Sequence, residues 1–351
     1  CWSTNPNPTV SDNKTVDVAA ANFTSLITGL TPEKKYYVRA YATNNAGTAY
    51  GNEVSLVTKA LAVPTLTTTL ITDITHNSAH SGGTIVSDGG TPITEAGVCW
   101  SINHNPAVSD SKTSDNVSLN TFASGISALN EATTYYVRAY AKNSVGIGYG
   151  NEVMFISGFL DIDGNLYHAI KIGTQFWMLE NLKVTHYQNG DEIPTIAITD
   201  GATWKGLSTG ALSHCQNEVY GYLYNWYAVA DSRKISPSGW HVPTQTEWTT
   251  LINFLGGLAN AGGKMKATGT SLWLSPNAGA TNESGFTALP AGARANYDGL
   301  LNNGTYNSFF WSVTEYDTQS AYHLTLFHTN GESTFDFMTK RYGFSVRCIK
   351  D

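Results

Sequence analysis

The chain has 351 residues and a formal net charge of −7, and only 13% of its residues are charged, against about 25% in typical soluble domains. It carries no basic cluster, which excludes nucleic acid as a partner. No apolar run approaches the ~20 residues of a spanning helix, so we expect no membrane span in this segment. The excess of Thr, Asn, Ser, Gly and Tyr indicates a mostly β protein, and the length suffices for two or three domains.

Two sequence repeats occupy the first part of the chain. The run Tyr-Tyr-Val-Arg-Ala-Tyr-Ala occurs at residues 36–42 and again at residues 135–141, and Tyr-Gly-Asn-Glu-Val follows each copy. The second copy alternates with period two around Tyr136, Arg138 and Tyr140, as a half-buried strand requires. We expect residues 1–60 and 61–157 to form two antiparallel β-sandwich modules. This strand resembles the penultimate strand of a fibronectin type III or immunoglobulin-like domain.

The first repeat is predicted to be incomplete. Residues 1–3 correspond to residues 99–101, so the first repeat has no counterpart of residues 64–98. Those residues are expected to supply two strands that a sandwich needs for its core. Three explanations stay open: the strands belong to a longer parent chain, a neighbouring copy donates them by β-augmentation, or Cys1 is a lipid-modified N-terminus.

The four cysteines fall into two pairs. Cys1 and Cys99 hold equivalent repeat positions, and we interpret both as small buried apolar residues. Cys215 and Cys348 are the only cysteines after the repeats, and we expect them to form a disulfide. Such a bond would agree with an extracellular or cell-surface location.

A separate domain is predicted from residue 158 to residue 351, where seven of the nine tryptophans lie. Its first motif, Asp-Ile-Asp-Gly-Asn at residues 161–165, is similar to the start of a calcium loop. The motif lacks the glycine at position six and the glutamate at position twelve that such a loop uses. A turn at Asp163-Gly164 accounts for the same residues, and we predict no metal site and no cofactor.

The clearest helix signal lies in residues 239–248. Thr244 and Glu247 have the spacing of a capping box, and apolar residues follow on one helical face, namely Trp248, Leu251, Ile252, Leu255 and Leu258. The cap gives Glu247 a structural role in place of a catalytic one. We interpret His241 as a satisfied core histidine. His323 and His328 are five residues apart on a predicted strand, so they point to opposite faces and make a poor metal pair.

The C-terminal region resembles the Fibrobacter-type major paralogous (FISUMP) domain, which is found in secreted and surface proteins of Bacteroidetes. The matching stretches are Asp-Ile-Asp-Gly-Asn at 161–165, Trp-Met-Leu-Glu-Asn-Leu at 177–182, Tyr-Gly-Tyr-Leu-Tyr-Asn-Trp-Tyr-Ala at 220–228, Gly-Trp-His-Val-Pro-Thr-Gln-Thr-Glu-Trp at 239–248, Thr-Asn-Glu-Ser-Gly-Phe-Thr-Ala-Leu-Pro at 281–290 and Gly-Phe-Ser-Val-Arg-Cys at 343–348. The region is similar in turn to the α+β fold of C-type lectins and sulfatase-modifying factors.

That second resemblance raises the possibility of a formylglycine-generating oxidase. Enzymes of that kind hold copper with two cysteines near the C-terminus. This chain has only Cys348 there, and a disulfide with Cys215 would leave no thiolate for the chemistry. We therefore expect a protein that is not an enzyme.

Aromatic residues in loop-like segments rich in Gly, Asn and Ser favour a binding function, because flat rings stack on the C–H faces of sugars. The candidate ligand-binding residues are Trp204, Trp273, Arg294, Tyr297, Trp311 and Glu315. The alternative is that the tryptophans fill the core of a domain with few helices. We expect a secreted or cell-surface adhesion protein that binds a carbohydrate or a partner surface, with the repeats as a stalk. The alternative is a filament subunit that other copies complete by strand donation.

Overall fold

The computed structural model describes residues 1–18, 20–302 and 304–351. The chain divides into two compact units. The first consists of Cys1–Leu70, Ser81–Gly125 and Tyr136–Val153, and the second of Ile71–His80, Ile126–Tyr135 and Met154–Asp351. Two segments of the second repeat thus belong to the same unit as the C-terminal residues.

The described residues of the first repeat contain five short strands. They are β1 (Trp2–Ser3), β2 (Lys35–Val38), β3 (Tyr41–Asn44), β4 (Gly47–Tyr50) and β5 (Val54–Val57). Strands β1, β2 and β5 form one antiparallel sheet, and β3 and β4 form a hairpin. An open groove of about 460 Å³ lies along this module, lined by apolar residues that include Val16, Val18 and Phe23. These three side chains are 85%, 89% and 49% exposed.

The second repeat has the strands of a complete sandwich. They are β6 (Thr65–Thr68), β7 (Ala79–Ser87), β8 (Glu95–Ser101), β9 (Ser111–Lys112), β10 (Thr121–Ile126), β11 (Thr134–Lys142), β12 (Ile147–Tyr149) and β13 (Val153–Ile156). One sheet has the order β10-β7-β6, and the other has the order β12-β11-β8-β9, with β13 also paired to β11. This pair of antiparallel sheets, one of three strands and one of five, resembles the two-sheet sandwich of a fibronectin type III domain.

The predicted alternation in β11 is confirmed from Tyr135 to Ala139, where Val137 and Ala139 are fully buried and Arg138 remains partly exposed. It fails at Tyr140, which is fully buried like its neighbours. The repeat equivalence also extends to the cysteines. Each thiol donates to the carbonyl of a proline seven residues ahead, from Cys1 to Pro8 and from Cys99 to Pro106, both at 3.4 Å. Both cysteines are buried, as interpreted from the sequence.

The second unit combines short strands with four helices among the described residues. Its strands are β14 (Phe159–Leu160), β15 (Leu166–Tyr167), β16 (Ala169–Ile172), β17 (Gln175–Met178), β18 (Leu212–His214), β19 (Tyr222–Asn225), β20 (Trp240–His241), β21 (Ala293–Arg294), β22 (Leu301–Asn302), β23 (Asn307–Glu315), β24 (Ser320–Phe327), β25 (Ser333–Thr339), β26 (Gly343–Phe344) and β27 (Ile349–Lys350). Its helices are α1 (Gly201–Lys205), α2 (Trp226–Val229), α3 (Gln245–Phe254) and α4 (Leu258–Met265), and a 3-10 turn covers Glu218–Tyr220. The main sheets have the orders β16-β17-β27-β20, β18-β19-β26-β21-β22 and β23-β24-β25.

The predicted capping box begins α3. The hydroxyl of Thr244 accepts from the backbone N–H of Glu247 at 3.3 Å, and the Glu247 carboxylate accepts from the backbone N–H of Thr244 at 2.8 Å. Trp248 and Leu251 behind it are fully buried. Leu258 does not continue this face, because it begins α4 and is 47% exposed.

The sheet β23-β24-β25 separates two apolar clusters. Trp311 and Ala321 belong to one cluster, together with Phe344. Phe310 and Leu324 belong to the other, which α3 and α4 complete. Successive residues of a strand point to opposite faces, so a single sheet supplies both cores.

Several hydrogen bonds hold the two segments of the second repeat within this unit. The backbone N–H of Gly158 donates to the carbonyl of Thr75 at 2.9 Å. A ring nitrogen of His168 lies 2.9 Å from the carbonyl oxygen of Ile74. The ammonium of Lys350 donates to the carbonyl of Ala132. Across the residues that the structure describes, no helix combines the length and apolarity needed to cross a bilayer.

Candidate functional site

The three tryptophans that were candidate sugar platforms lie in the core. Trp204, Trp273 and Trp311 are 0%, 1% and 0% exposed. Each indole N–H donates to a backbone carbonyl at 2.8–2.9 Å, of Arg341, Ala288 and Tyr224 respectively. The expectation of surface rings is not met at these positions, because buried indoles with paired N–H groups are packing residues.

Arg294 is also buried, so it is not available as a polar ligand group. Its guanidinium donates to the carbonyls of Gly299, Ile196 and Ala197, each at 2.8 Å, and to that of Asp200 at 3.0 Å. The same group lies 4.4 Å from the centre of the Trp204 ring. Arg294 therefore fastens two loops in place of contacting a ligand.

Tyr297 and Glu315 are the two candidates that lie at the surface. Tyr297 is 65% exposed, and its phenol oxygen accepts from the Asn302 amide at 2.8 Å. The Glu315 carboxylate pairs with the ammonium of Lys340, a side chain that is itself only 6% exposed. Glu315 already has a partner within the protein.

Two further buried cations follow the pattern of Arg294. Lys266 is fully buried, and its ammonium donates to the carbonyls of Ala278, Phe327 and Asn330 at 2.9, 2.7 and 2.7 Å. Burial lowers the pKa of Lys266 to about 8. In the terminal family motif, the guanidinium of Arg347 donates to the Asn181 side chain at 2.8 Å. Burial lowers the pKa of Arg347 to about 9.

The predicted disulfide is wrong. Cys215 and Cys348 are both free thiols, and they belong to different apolar clusters, with Cys348 in the cluster of Trp311 and Cys215 beside Tyr220. Burial raises the pKa of Cys215 to about 12 and raises that of Cys348 further. Neither thiol favours the thiolate form at neutral pH.

The Asp-Ile-Asp-Gly-Asn motif forms the turn predicted at its glycine. Gly164 has a φ of +79°. The Asp161 carboxylate accepts from the backbone N–H groups of Asp163 and Asn165, both at 2.9 Å, and from the Tyr167 hydroxyl at 2.8 Å. The oxygens of the Asp161 carboxylate therefore already accept hydrogen bonds from donors within the protein. Within residues 1–18, 20–302 and 304–351, no group of three or more His, Cys, Asp or Glu side chains is arranged to hold a metal ion.

Two histidines have contrasting environments. His241 lies between two carboxylates, 2.6 Å from Asp351 and 2.8 Å from Glu247. Burial lowers its pKa, but the hydrogen bonds to Asp351 and Glu247 outweigh burial and raise the pKa overall. His323 is 3% exposed, and its Nδ1 has no partner among the described residues. Burial lowers its pKa to about 4.

Four aromatic rings contact one another at one end of the sheet β23-β24-β25, in a group that we call the aromatic surface: Tyr316, Tyr322, Phe335 and Phe337. Tyr322 and Phe335 are half-buried. Tyr316 and Phe337 stack with ring centres 3.8 Å apart and planes 1° apart. Tyr322 meets Tyr316 edge to face at 5.4 Å and stacks on Phe335 at 5.7 Å. Tyr316 and Phe337 are 48% and 42% exposed.

The sequence alone does not predict this surface. Tyr322 is the register partner of Phe337 across β24 and β25, and that pairing is not visible in a single sequence. One signal was present: Phe335 and Phe337 alternate with Thr334 and Asp336, which places both rings on one face of a strand.

These features define a modular β protein with a loop-rich C-terminal domain of strands and short helices. Residues 170–350, slightly more than half of the chain, match the model of the "Fibrobacter succinogenes major domain". The chain belongs to this family, which confirms the resemblance drawn from the motifs.

Solved structures that the chain is similar to contain fibronectin-type modules. They include domains A168–A170 of titin (19% identity, 36% of this chain and 41% of that one, TM-score 0.21). Domains FN1–FN3 of chicken CNTN1 have 14% identity, with 37% of this chain and 44% of that one covered and a TM-score of 0.24. The rat CD45 extracellular region d3–d4 has 16% identity, with 45% of this chain and 79% of that one covered and a TM-score of 0.24. The chain spans less than half of the titin and CNTN1 fragments. With TM-scores this low, the fold assignment depends on the strand order described above. No curated protein matches the chain.

Proposed function

We propose that this chain is a non-enzymatic, secreted or cell-surface adhesion protein. In this proposal the C-terminal domain, with a C-type-lectin-like fold, binds a carbohydrate or a partner surface, and the sandwich modules act as a spacer. The observation that carries the proposal is the aromatic surface. Exposed clusters of large rings are uncommon on monomeric proteins and mark binding sites.

The chemistry of the remaining residues supports binding over catalysis. Three buried cations of the family domain donate to protein oxygens, namely Lys266, Arg294 and Arg347. The thiols of Cys215 and Cys348 have raised pKa values, which disfavours the copper-holding thiolates of a formylglycine-generating oxidase. Sandwich modules of this topology are typical of extracellular proteins, which supports the proposed location.

A binding screen with the full chain tests this function. The chain would be applied to arrays of glycans and of extracellular matrix proteins, together with the variants Tyr316→Ser and Tyr306→Ser. Both residues are exposed tyrosines, at 48% and 47%, but only Tyr316 belongs to the aromatic surface. We expect hits that Tyr316→Ser removes and Tyr306→Ser retains. An array without hits above background, or hits that neither variant changes, would contradict the proposal.

A filament subunit is the second candidate, and the apolar groove of the first module favours it. In the second module, β6 and β7 bury Leu66 and Ile85, whereas Val16, Val18 and Phe23 lie open in the first. Strands donated by another copy would cover these side chains by β-augmentation.

Light scattering and electron microscopy of the full chain over a range of concentrations test the filament. We expect assembly that Phe23→Asp prevents and Val57→Asp, an exposed position outside the groove, leaves unchanged. A peptide of residues 64–98 should compete with assembly. Dispersed monomers at every concentration would rule this candidate out.

A further inference from the structure

We propose that the aromatic surface selects neutral glycan chains of pyranose units, in preference to anionic glycans and to polypeptides. This inference rests on the proposed binding function and assigns its substrate class. Its first support is that four rings form a continuous row on one face of the sheet. The row runs from Phe337 to Tyr316, then to Tyr322 and Phe335, and each ring contacts the next. A strip of rings matches the repeated C–H faces of a sugar chain.

The second support is the state of the charged groups around the rings. The Glu315 carboxylate is paired with Lys340. The Asp317 carboxylate accepts from the backbone N–H groups of Gln319 and Ser320 at 2.8 and 2.7 Å. Asp336 alternates with Phe335 and Phe337 along β25, so its carboxylate lies on the opposite face of the sheet. The local charges thus have protein partners already, and an ionic ligand would gain little from them.

The third support is the set of polar groups that remain available. The phenol groups of Tyr316 and Tyr322 and the side-chain amide of Gln319 lie in the strand ends and the turn that carry the ring contacts. These groups are neutral, and each can donate and accept. Neutral groups beside apolar ring area suit the hydroxyl groups and C–H faces of an uncharged sugar, as in other sites where few polar groups orient an apolar contact.

Lys340 would be the cation to attract an anionic glycan to this end of the sheet, but it is not available. Its ammonium bonds Glu315 and the carbonyl of Thr318, and it lies 4.6 Å from the centre of the Trp226 ring. Sulfated or carboxylated sugars would instead meet the acidic side chain of Asp317. Their binding is therefore disfavoured by like charge.

Calorimetric titration of the full chain with defined hexasaccharides tests this assignment. The neutral probes are β-1,4-linked glucose, mannose and xylose hexamers, the anionic probes are galacturonic acid and heparin hexasaccharides, and a proline-free polypeptide serves as the third class. We expect a neutral hexamer to bind with an affinity that changes less than about twofold between 50 and 500 mM NaCl, because no ion pair is screened.

Two variants of Tyr316 distinguish the contribution of the aromatic ring to binding from that of the phenol hydroxyl. Tyr316→Ala should weaken binding at least about tenfold, and Tyr316→Phe, which keeps the ring, should weaken it only a few-fold. Phe337→Leu serves as a second variant should Tyr316→Ala unfold, and Tyr306→Ala, at an exposed tyrosine outside the aromatic surface, is the control that should bind normally. Tyr316-dependent binding of an anionic glycan or of the polypeptide alone would overturn the substrate class while keeping the proposed function. If no probe binds and the array screen also gives no hits, both the substrate class and the proposed binding function are contradicted.

Discussion

The indole N–H of Trp311 donates to the backbone carbonyl of Tyr224 at 2.8 Å, which joins β23 to β19 through the core. Trp311 was a candidate ligand-binding residue, and this bond gives it a structural role. We predict that Trp311→Ala lowers the free energy of unfolding of the C-terminal unit by ~3–5 kcal/mol, as for other buried aromatic truncations.

Denaturant unfolding followed by tryptophan fluorescence measures this loss, since seven of the nine tryptophans lie after residue 158. Trp311→Phe should cost less, because it keeps most of the ring and leaves only the Tyr224 carbonyl unpaired. Tyr297→Ala is the exposed control. A Trp311→Ala protein as stable as the parent would contradict the core assignment.

Replacing Lys266 by methionine should destabilise the same unit by at least about 3 kcal/mol, because three buried carbonyls lose their donor. The matched control is Lys264→Met. Lys264 lies two residues earlier, remains about a third exposed, and is 3.6 Å from Glu283, so its loss should cost under about 1 kcal/mol. Thermal unfolding of the two variants compares them directly, and equal melting temperatures would show that the three carbonyls find other partners.

His241 should make the unit more stable under mildly acidic conditions. Its pKa in the folded state is raised above the ordinary value of 6.5, so its contribution is fully present below pH 6.5 and disappears as the pH rises through the folded-state pKa. The melting temperature of the full chain, recorded between pH 5 and 9, should therefore fall across this window. His241→Gln should remove this part of the slope. If the melting temperature of the variant falls with pH as steeply as that of the parent, another group causes the pH dependence.

His323 should act in the opposite sense. Its pKa in the fold is about 4, so the unfolded chain takes up a proton first, and stability is lost as the pH falls from about 6.5 towards 4. Asp336 lies opposite on β25 and Trp311 opposite on β23, and neither satisfies the buried Nδ1. The loss should approach about 3 kcal/mol.

His323→Leu should abolish most of the acid sensitivity that His323 causes. Unfolding of the parent and of this variant at pH 7 and pH 4.5 would measure it, with His241→Gln as the comparison because its effect has the opposite sign. Parallel losses in parent and His323→Leu would contradict the assignment.

Local signals in the sequence predicted local structure well. The Thr244–Glu247 capping box is confirmed, and so is the alternation in β11 from Tyr135 to Ala139, because each depends on residues within a few positions of one another. The turn at Gly164 is of the same kind. Motifs specific to one family also identified it correctly.

Long-range contacts account for the failures. Arg294 is buried because carbonyls almost a hundred residues away, at Ile196 and Ala197, accept its hydrogen bonds. The residues near Arg294 in the sequence give no indication of these hydrogen bonds. The same applies to the aromatic surface, where Tyr316 reaches Phe337 only because three strands align.

The bonds from His168 to Ile74 and from Lys350 to Ala132 have a practical consequence for anyone who produces this protein in pieces. A recombinant fragment cut at residue 158, where the repeats end, would lose the carbonyl partners of both side chains. A fragment that starts near residue 61 retains them. The second piece should therefore express and crystallise better than the first, and isotope-labelled samples for spectroscopy are best prepared from it.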